Sequence, residues 1–398
     1  MSARIAIVTT KQPGTNPRMR KNADALSAAG YDVKVLYAFN ARWADETDAD
    51  VLQKANWSAH RIGGHPEHSK LTFQKNRFMR KWGQWTGQLD LSFCPALNEY
   101  LSALNQFQPD LIIGHNPGAL PILTKWKAAT RKTVIFDAED FHRGETEAGG
   151  GDALAVQRLE DQHLPKIDHI TAASPLIGEA YQALYPTASV VTLNNAFELG
   201  LQPVFHDLSK GPLTLCWFSQ VVGLDRGLEE FLNCIETWDD EPLTIRIIGS
   251  MSDSVRTQLL GILDETRHTF EEHPAASEQS LAAILAESHI GLALERTDVT
   301  NRKWCRTNKL YMYPLCGCYA VATRTPAQEH FFMDHPECGT LIDISEPSTI
   351  TELLSHWSKN RAELEENRRR AWQLARNELN WDRESTILLN LVASTLQS

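Results

Sequence analysis

The sequence predicts an α/β protein made of two doubly wound domains, and three observations support this prediction. At 398 residues the chain is too long for one ordinary core and suits two domains of about 150–200 residues each. Short apolar segments alternate with helical patterns, which is typical of parallel sheets covered by helices on both faces. The alternation breaks at residues 198–212, which carry Pro and Gly, and then restarts.

The first series of elements opens with a short apolar strand at residues 5–10 and a Pro/Gly loop at 11–15. Asn16 supplies an N-cap and Pro17 a first-turn proline, which together predict a helix that ends near Gly30. Further strands are predicted at residues 31–37, 110–114, 133–137, 169–173 and 189–193. Between them, one helix is predicted to end near residue 129 and another to begin at residue 175.

The second series begins at residue 213. Its strands are predicted at residues 213–218, 244–249, 290–294 and 319–323. Its helices are predicted at residues 227–236, 255–266, 278–289 and 308–315, with a glycine-flanked loop at 223–226 before the first of them.

These two series define the predicted domains. Residues 1–198 form the first Rossmann-like domain, 199–212 a linker and 213–375 the second, and a C-terminal helix at 376–398 packs back toward the first. In open parallel sheets, ligands bind at the carboxyl ends of the strands, where loops and helix N-termini converge. We therefore expect the two domains to face a central cleft lined by residues that follow strands.

Composition and charge argue against several classes of function. The formal net charge of −11 disfavours a nucleic-acid partner, because holding many phosphates needs a concentrated cationic surface. An anionic ligand should instead meet a small cationic site. The seven cysteines are scattered, which suits a reducing compartment, and Cys316 and Cys318 are predicted to be structural thiols. No run of about 18 apolar residues is present, so we predict a cytoplasmic protein without a membrane span.

Residues 61–89 are basic in an otherwise acidic chain. They hold one acid, Glu67, and six cationic residues: Arg61, Lys70, Lys75, Arg77, Arg80 and Lys81. Their apolar residues recur at helical spacing: Phe78, Trp82, Trp85 and Leu89. One interpretation is an amphipathic helix on anionic lipid, which would give a peripheral contact with the inner face of a membrane. The other, which is the more frequent case, is a stripe packed on its own domain.

Short motifs in the first half of the chain resemble those of one enzyme family. Three segments carry the likeness: Thr15-Asn16-Pro17-Arg18, Pro109-Asp110-Leu111-Ile112 with His115-Asn116-Pro117, and Phe136-Asp137-Ala138-Glu139-Asp140. In order and spacing they resemble motifs of the GT-B-fold glycosyltransferases, specifically the large retaining family four.

The second half of the chain continues this resemblance. The segment Asp225-Arg226-Gly227-Leu228 resembles the motif that opens the first helix of the family's donor domain, and residues 308–313 resemble a later helix. Trp381 resembles the tryptophan of a terminal helix that crosses back to the first domain. The resemblance implies a nucleotide diphosphate-sugar donor, such as a UDP- or GDP-sugar, on the C-terminal domain. It also implies an acceptor on the N-terminal domain, and neither a metal nor an organic cofactor.

Three positions depart from the family pattern. Many members carry two glutamates eight residues apart, the second of which holds the donor ribose; Trp304 and Met312 occupy these positions here. A histidine often placed near the reacting sugar is replaced by Glu139. Two alternatives to a transferase follow: a non-catalytic scaffold protein and a nucleotide-sugar epimerase.

The donor side is predicted from the chemistry of the leaving group. Because a diphosphate leaves during glycosyl transfer, the protein must stabilise growing negative charge. Arg226 just precedes one helix and Lys309 lies in the first turn of another. Cations at such helix ends are unfavourable unless an anion binds between them. We predict that both residues are catalytic, the alternative being solvated surface charges.

Four further residues are predicted on the donor side. Glu295 follows a strand and is expected either to accept hydrogen bonds from the ligand's hydroxyl groups or to pair with a nearby arginine. Asn301 and Asn308 are expected to orient the same ligand or to serve in turns and caps. Gly249, at the end of a strand, completes this set.

The acceptor side is predicted after two strands of the first domain. Glu139 is the predicted catalytic carboxylate, which would deprotonate the acceptor or stabilise the cationic sugar. Asp140 and His142 belong to the same titratable cluster, with surface carboxylates as the alternative. The remaining candidates are Gly14, which permits a close backbone approach, and the strand-end residues His115 and Asn116. The acceptor class stays open between a glycan, a lipid-linked molecule and a small molecule.

One metal-type motif is interpreted as chance. Asp48-Ala49-Asp50 spells a D-x-D sequence, but it lies in a polar segment without the expected context.

Overall fold

A computed structural model describes residues 2–146, 150–224, 226–236, 238–263 and 266–397. Asp225, part of a predicted motif, lies outside the described residues, as do residues 264 and 265 of the predicted helix 255–266. The chain divides into two compact units. One holds the residues up to Asn194 and those from Ser385 onward, and the other holds Asn195–Glu384.

The first unit is built on a parallel sheet that has seven strands in its described residues. The strands are β1 (Arg4–Thr9), β2 (Asp32–Ala38), β3 (Ser58–Ile62), β4 (Leu111–His115), β5 (Val134–Ala138), β6 (His169–Ala172) and β7 (Ser189–Thr192). The helices are α1 (Pro17–Ala28), α2 (Ala44–Lys54), α3 (Lys70–Thr86), α4 (Leu89–Phe93), α5 (Leu97–Phe107), α6 (Leu120–Thr130), α7 (Gly151–His163) and α8 (Pro175–Leu184). The strand order is β3-β2-β1-β4-β5-β6-β7.

The second unit repeats this plan with six strands among its described residues. Its strands are β8 (Leu213–Val221), β9 (Leu243–Ser250), β10 (Thr269–His273), β11 (Ile290–Ala293), β12 (Tyr319–Thr323) and β13 (Gly339–Ile342). Its helices are α9 (Leu228–Ile235), α10 (Asp253–Ile262), α11 (Glu278–Leu285), α12 (Thr300–Trp304), α13 (Lys309–Cys316), α14 (Pro326–Asp334), α15 (Pro347–Lys359) and α16 (Arg361–Asn377). The last helix, α17 (Trp381–Gln397), begins in this unit and continues into the first. The strand order is β10-β9-β8-β11-β12-β13.

Both sheets reverse their strand order beside their first strand. In the first sheet β1 lies between β2 and β4, and in the second β8 lies between β9 and β11. Open parallel sheets bind ligands at this point, outside the carboxyl ends of the strands, because the connections leave in opposite directions and open a crevice. The predicted α/β class with two doubly wound domains is confirmed, and the topology locates one such point in each unit.

The central strands form where the sequence has continuous apolar runs. Ile5, Ala6, Ile7 and Val8 of β1 are completely buried, as expected for a strand covered by helices on both faces. The N-cap prediction for α1 is also confirmed, since the Asn16 side chain accepts a hydrogen bond from the Met19 N–H.

Three strands that the sequence did not predict lie at sheet edges. β3 is mostly exposed, β10 is exposed or half-buried along its length, both carry polar residues, and β13 has only four residues. An edge strand buries less of its surface, so it lacks the apolar run by which an internal strand is recognised.

The basic segment at residues 61–89 contains α3, and the apolar stripe of this helix is exposed. The exposed fractions of Phe78, Trp82 and Trp85 are 63%, 43% and 79%. The opposite face of α3 packs against α4. A Cβ atom on Gly83 would lie only 2.6 Å from the backbone nitrogen of Ser92, a residue of α4. The interpretation of this stripe as packed on its own domain is therefore wrong for these three residues, whereas Leu89, the first residue of α4, is half-buried.

Across the described residues, we find no helix with the length and apolar content required to traverse a bilayer.

Candidate active site

Three charged side chains meet at the strand-order reversal of the second sheet. Arg226 follows β8, Glu295 follows β11, and Lys309 opens α13. Lys309 Nζ lies 3.5 Å from Glu295 Oε1, and Arg226 Nη1 lies 3.9 Å from the same oxygen. Two cations therefore share one carboxylate, which leaves the cluster with a net positive charge suited to an anionic ligand.

Lys309 is a buried cation rather than the solvated surface charge of the alternative interpretation. Its residue is 4% exposed, and its ammonium group lies 5.2 Å from the ring centroid of Trp217 and 5.7 Å from that of Phe218. Burial lowers the pKa of Lys309, while the Glu295 carboxylate opposes that shift and Arg226 adds to it. Binding an anion would favour the charged form of this lysine.

Neighbouring backbone and hydroxyl groups hold the cluster in place. Thr323 Oγ1, at the end of β12, accepts a hydrogen bond from the Glu295 N–H at 2.9 Å and donates one to the Glu295 carbonyl at 2.8 Å. Gly227 adopts φ +81° before α9, and a Cβ there would lie 3.2 Å from Ile344 Cδ1. A glycine at this position lets the chain turn sharply between Arg226 and the helix.

The other donor-side candidates occupy different settings. Asn308 is exposed at the N-cap position of α13 and accepts a hydrogen bond from Asn195, and Asn301 is half-buried in α12. Gly249 packs against β8, where a Cβ would lie 2.2 Å from the Ser219 carbonyl oxygen, so tight strand packing accounts for this glycine. Met312, one of the positions that depart from the pattern of the resembled family, is completely buried in the core of the second unit.

A second group of polar residues meets at the reversal point of the first sheet. Glu139 follows β5, and its Oε1 accepts hydrogen bonds from Asn116 Nδ2 and, at 3.4 Å, from Lys11 Nζ. Among the described residues, none donates to Glu139 Oε2. One carboxylate oxygen is thus held by the protein and the other is available to a substrate.

Asn116 links the ends of β1, β4 and β5. Its Oδ1 accepts a hydrogen bond from Thr9 Oγ1 at 2.8 Å, while its Nδ2 donates to Glu139. Its backbone has φ 68° and ψ 153°, a conformation close to one adopted almost only by glycine. The sequence identified Asn116 as a candidate, but it gave no sign of this backbone strain or of the contribution of Lys11.

A buried ion pair lies beneath this group. Arg18 of α1 donates two hydrogen bonds to Asp137 of β5, at 2.6 and 3.1 Å, and both residues are almost fully buried. Asn22 Nδ2 donates to Asp137 and, at 3.3 Å, to His115 Nε2, which assigns the proton of the imidazole to Nδ1. Burial lowers the pKa of His115, so this histidine is neutral at pH 7.

Asp140, His142 and Glu145 form a small cluster next to Glu139. Their potential ligand atoms lie within 4.8 Å of one another, which is compatible with a cation site. Burial by itself would lower the pKa of His142, but the hydrogen bond to Glu145 and the nearby carboxylates of Asp140 and Glu139 raise it to about 9. In this structure His142 Nδ1 pairs with Glu145 Oε1, and the raised pKa favours the charged imidazolium at neutral pH.

The Gly14 loop is held by Asp48, the first aspartate of the D-x-D sequence. Asp48 is buried in α2, and it accepts hydrogen bonds from the Gly14 N–H at 2.7 Å and from Gln12 Nε2 at 2.9 Å. A Cβ on Gly14 would lie 2.9 Å from the Thr47 Cβ. Close packing on α2 accounts for this glycine, and Asp48 fixes the loop beside β1.

Two family models match the chain. The first, described as a glycosyl transferase 4-like domain, matches residues 13–196. The second, described as glycosyl transferase-like, matches residues 226–390. A search of curated protein sequences gave no significant match.

Several solved structures resemble the chain over nearly its whole length. HepE of Anabaena, in complex with UDP and glucose, aligns with a TM-score of 0.70 and 14% identity over 98% of this chain and 100% of that chain. Sucrose-phosphate synthase of Thermosynechococcus elongatus aligns with a TM-score of 0.68 and 13% identity over 98% of both chains. A glycosyltransferase of Rickettsia africae aligns with a TM-score of 0.69 and 8% identity over 100% of both chains.

At these identities the structural likeness shows the fold, which is the GT-B fold. The two family models add the activity class, because one matches most of the first unit and the other most of the second. The chain therefore belongs to the GT-B-fold glycosyltransferases, in the group whose first domain is glycosyl transferase 4-like.

Proposed function

We propose that this glycosyltransferase moves a sugar from a nucleotide diphosphate-sugar, such as a UDP- or GDP-sugar, to an acceptor hydroxyl. The cluster of Arg226, Glu295 and Lys309 carries the proposal, because it concentrates two cations beside the strand-order reversal of the second sheet. The structures of HepE contain UDP, UDP with glucose, or UDP-glucose, which favours uridine nucleotides as the first donors to test.

In the proposed reaction, the bond between the anomeric carbon and the diphosphate oxygen breaks with both electrons leaving on the diphosphate. A bond forms from the same carbon to the acceptor oxygen, which loses its proton. Negative charge grows on the leaving group, and Arg226 and Lys309 stabilise it. Because Lys309 is buried, water and salt screen its charge less than they would screen an exposed lysine.

We assign the acceptor side to the first unit, with Glu139 as its reactive carboxylate. Its Oε2 is oriented by the bonds that Asn116 and Lys11 make to Oε1, and it accepts the acceptor proton or stabilises the cationic sugar. The acceptor side of the proposed site also includes four other residues of the first unit: Gly14, His115, Asp140 and His142.

The proposal includes no metal ion and no organic cofactor, since two side-chain cations supply the positive charge that the leaving group needs. It also includes retention of the anomeric configuration, as in the family that the motifs resemble. The acceptor is a glycan, a lipid-linked molecule or a small molecule. We place the protein in the cytoplasm, with a peripheral contact at the inner face of the membrane through residues 61–89.

The test begins with thermal-shift titrations of the purified protein with UDP, GDP and ADP in buffer containing a chelator. We expect one diphosphate to raise the melting temperature, and the matching nucleotide sugar to release free diphosphate in the presence of an acceptor. The anomeric configuration of the product is then read by NMR.

Each other result contradicts a defined part of the proposal. If none of the diphosphates binds, the donor assignment fails. Binding without turnover of any donor and acceptor pair would indicate a scaffold protein, and conversion of the donor without an acceptor would indicate an epimerase. Turnover that requires added magnesium or manganese would contradict the metal-independent step.

A further inference from the structure

Helix α3 presents four large apolar side chains to solvent along one narrow stripe. Leu71, Phe78, Trp82 and Trp85 are 89%, 63%, 43% and 79% exposed. Phe78, Trp82 and Trp85 follow Leu71 by 7, 11 and 14 residues. At 100° per residue, all four side chains therefore lie within about 60° of the helix circumference. We call these four residues the α3 ridge.

The three aromatic side chains of the α3 ridge form a continuous row. The ring centroids of Phe78 and Trp82 are 6.3 Å apart, and those of Trp82 and Trp85 are 5.2 Å apart. Isolated exposed apolar residues are normal on protein surfaces, but a contiguous aromatic row on one helix indicates a surface that is covered in use.

The orientation of the ridge is fixed by the opposite face of the helix. Asn76 is buried and donates hydrogen bonds to the Gly63 carbonyl and, at 3.1 Å, to Glu99 Oε1. Gly83 contacts the backbone of Leu91 and Ser92 so closely that no larger residue fits. The helix therefore cannot rotate about its axis to bury the ridge without losing these contacts.

The positive charge beside the α3 ridge indicates that its partner is anionic. The helix carries five cations and no acid in a chain whose net charge is −11: Lys70, Lys75, Arg77, Arg80 and Lys81. By helical angle, Lys70, Arg77 and Lys81 lie along one side of the ridge and Lys75 along the other. In the described residues, Lys75 is the one of the five with an ion-pair partner, Glu99 at 3.8 Å.

We propose that α3 docks this protein on an anionic lipid bilayer, lying flat with the α3 ridge in the acyl boundary and the flanking cations at the headgroups. Tryptophan and phenylalanine suit this boundary, and each nearby lysine or arginine adds attraction to anionic headgroups. A second copy of the chain fits less well, because two such helices would bring ten cations together. The inference deepens the peripheral membrane contact of the proposed function, but binding is measured without any turnover.

The experiment measures co-sedimentation of the full-length protein with vesicles of phosphatidylcholine alone, or with roughly one-third phosphatidylglycerol, at low and high salt. The first variant removes the ridge with Leu71→Ser, Phe78→Ser and Trp85→Ser. The second removes flanking charge with Lys70→Gln, Arg77→Gln and Lys81→Gln. A matched control, with Trp43→Ser, Val204→Ser and Met333→Ser, removes three equally exposed apolar residues elsewhere.

We expect the wild-type protein and the control variant to sediment with the anionic vesicles at low salt. The ridge variant should bind at least about tenfold more weakly at either salt concentration. The charge variant should bind the anionic vesicles about tenfold more weakly than the wild type at low salt, and with nearly the same affinity at high salt. Because the substituted side chains are exposed, we expect all three variants to keep the melting temperature of the wild type, which would show that they are folded.

Three results would overturn the inference. The first is no sedimentation of the wild type with anionic vesicles, and the second is a ridge variant that binds as well as the control. The third is a lipid-free dimer that the ridge substitutions dissociate, which would identify a protein interface instead. Turnover of a soluble acceptor should be equal in the wild type and the ridge variant, so a failed membrane test leaves the proposed reaction unaffected.

Discussion

At the scale of single residues, Asn116 shows how local strain accompanies a candidate catalytic group. Its backbone adopts φ 68° and ψ 153°, and its side chain bridges Thr9 and Glu139. Such a conformation costs roughly 1–3 kcal/mol and persists only where surrounding structure enforces it.

Replacing Asn116 separates the strain from the hydrogen bonds. In Asn116→Gly the relieved strain offsets the two lost bonds, so stability should stay within about 1 kcal/mol of the wild type. In Asn116→Ala the strain remains, and this variant should be roughly 1–3 kcal/mol less stable than the glycine variant. Both should lower kcat by about tenfold or more, because Glu139 Oε1 loses one of its two donors and the carboxylate is less firmly oriented. Denaturant unfolding and steady-state kinetics check this, and a full-speed glycine variant would contradict the role of Asn116.

Arg226 should matter for turnover and not for folding. It is 37% exposed, so Arg226→Ala should leave the melting temperature nearly unchanged while kcat falls by about a hundredfold or more. Arg256 on α10 serves as the control because it lies outside the cluster. Its side chain is 54% exposed, and its Nε lies 2.8 Å from Glu272 Oε2. Equal rates for the Arg226 and Arg256 variants would remove Arg226 from the mechanism.

The Arg18–Asp137 pair should matter chiefly for stability. Asp137→Ala leaves a buried, uncompensated guanidinium and should cost about 3–5 kcal/mol of unfolding free energy. The double variant Arg18→Met/Asp137→Leu should recover much of this loss, because no charge is then left unpaired. Urea titration of both variants gives the comparison; a double variant no more stable than Asp137→Ala would show that the unpaired charge does not cause the loss.

At the scale of elements, α17 illustrates how burial alternates along one helix. Leu388 and Val392 are buried four residues apart, whereas the adjacent Ile387 is 38% exposed. The part of α17 from Ser385 onward belongs to the first unit, so these residues complete a core that is distant from them in sequence.

Alanine substitutions in α17 should reproduce this alternation. Leu388→Ala should destabilise the first unit by about 2–5 kcal/mol, since it leaves a cavity. Ile387→Ala should cost about 0.5 kcal/mol or less. Pulse proteolysis with mass analysis identifies which unit opens. Equal losses for the two variants, or opening confined to residues 195–384, would contradict this assignment of α17.

At the scale of the whole molecule, the pH dependence of stability should report on His142. The pKa of this histidine in the folded protein is about 9, above its ordinary value of 6.5, through Glu145 and the carboxylates of Asp140 and Glu139. A raised pKa stabilises the folded state fully below pH 6.5, and this contribution is lost as the pH rises through about 9.

The unfolding free energy of the wild type should therefore fall between about pH 7 and pH 10 more steeply than that of His142→Gln. In Glu145→Gln the same fall should move toward neutral pH, because the main partner of the imidazole has lost its charge. Denaturant titrations across this range give the difference curves. Parallel curves for the wild type and His142→Gln would show that His142 does not carry the effect.

The internal strands and the starts of several helices, such as α1, α8 and α11, were determined by the sequence alone, because continuous apolar runs and capping residues act over short distances. The same short-range rules placed Glu139, Arg226, Glu295 and Lys309 directly after strands or at helix starts, and the structure places them there. The order of these elements was enough to indicate two doubly wound domains and, with the motifs, the glycosyltransferase family.

Only the tertiary structure decided which side chains meet and which are exposed. The sharing of Glu295 by two cations, the two hydrogen bonds to Glu139 Oε1 and the strain at Asn116 depend on pairing between strands that are far apart in sequence. The exposure of the α3 ridge likewise depends on which face of the helix packs against α4, since a helical period shows that a face is apolar but not what covers it.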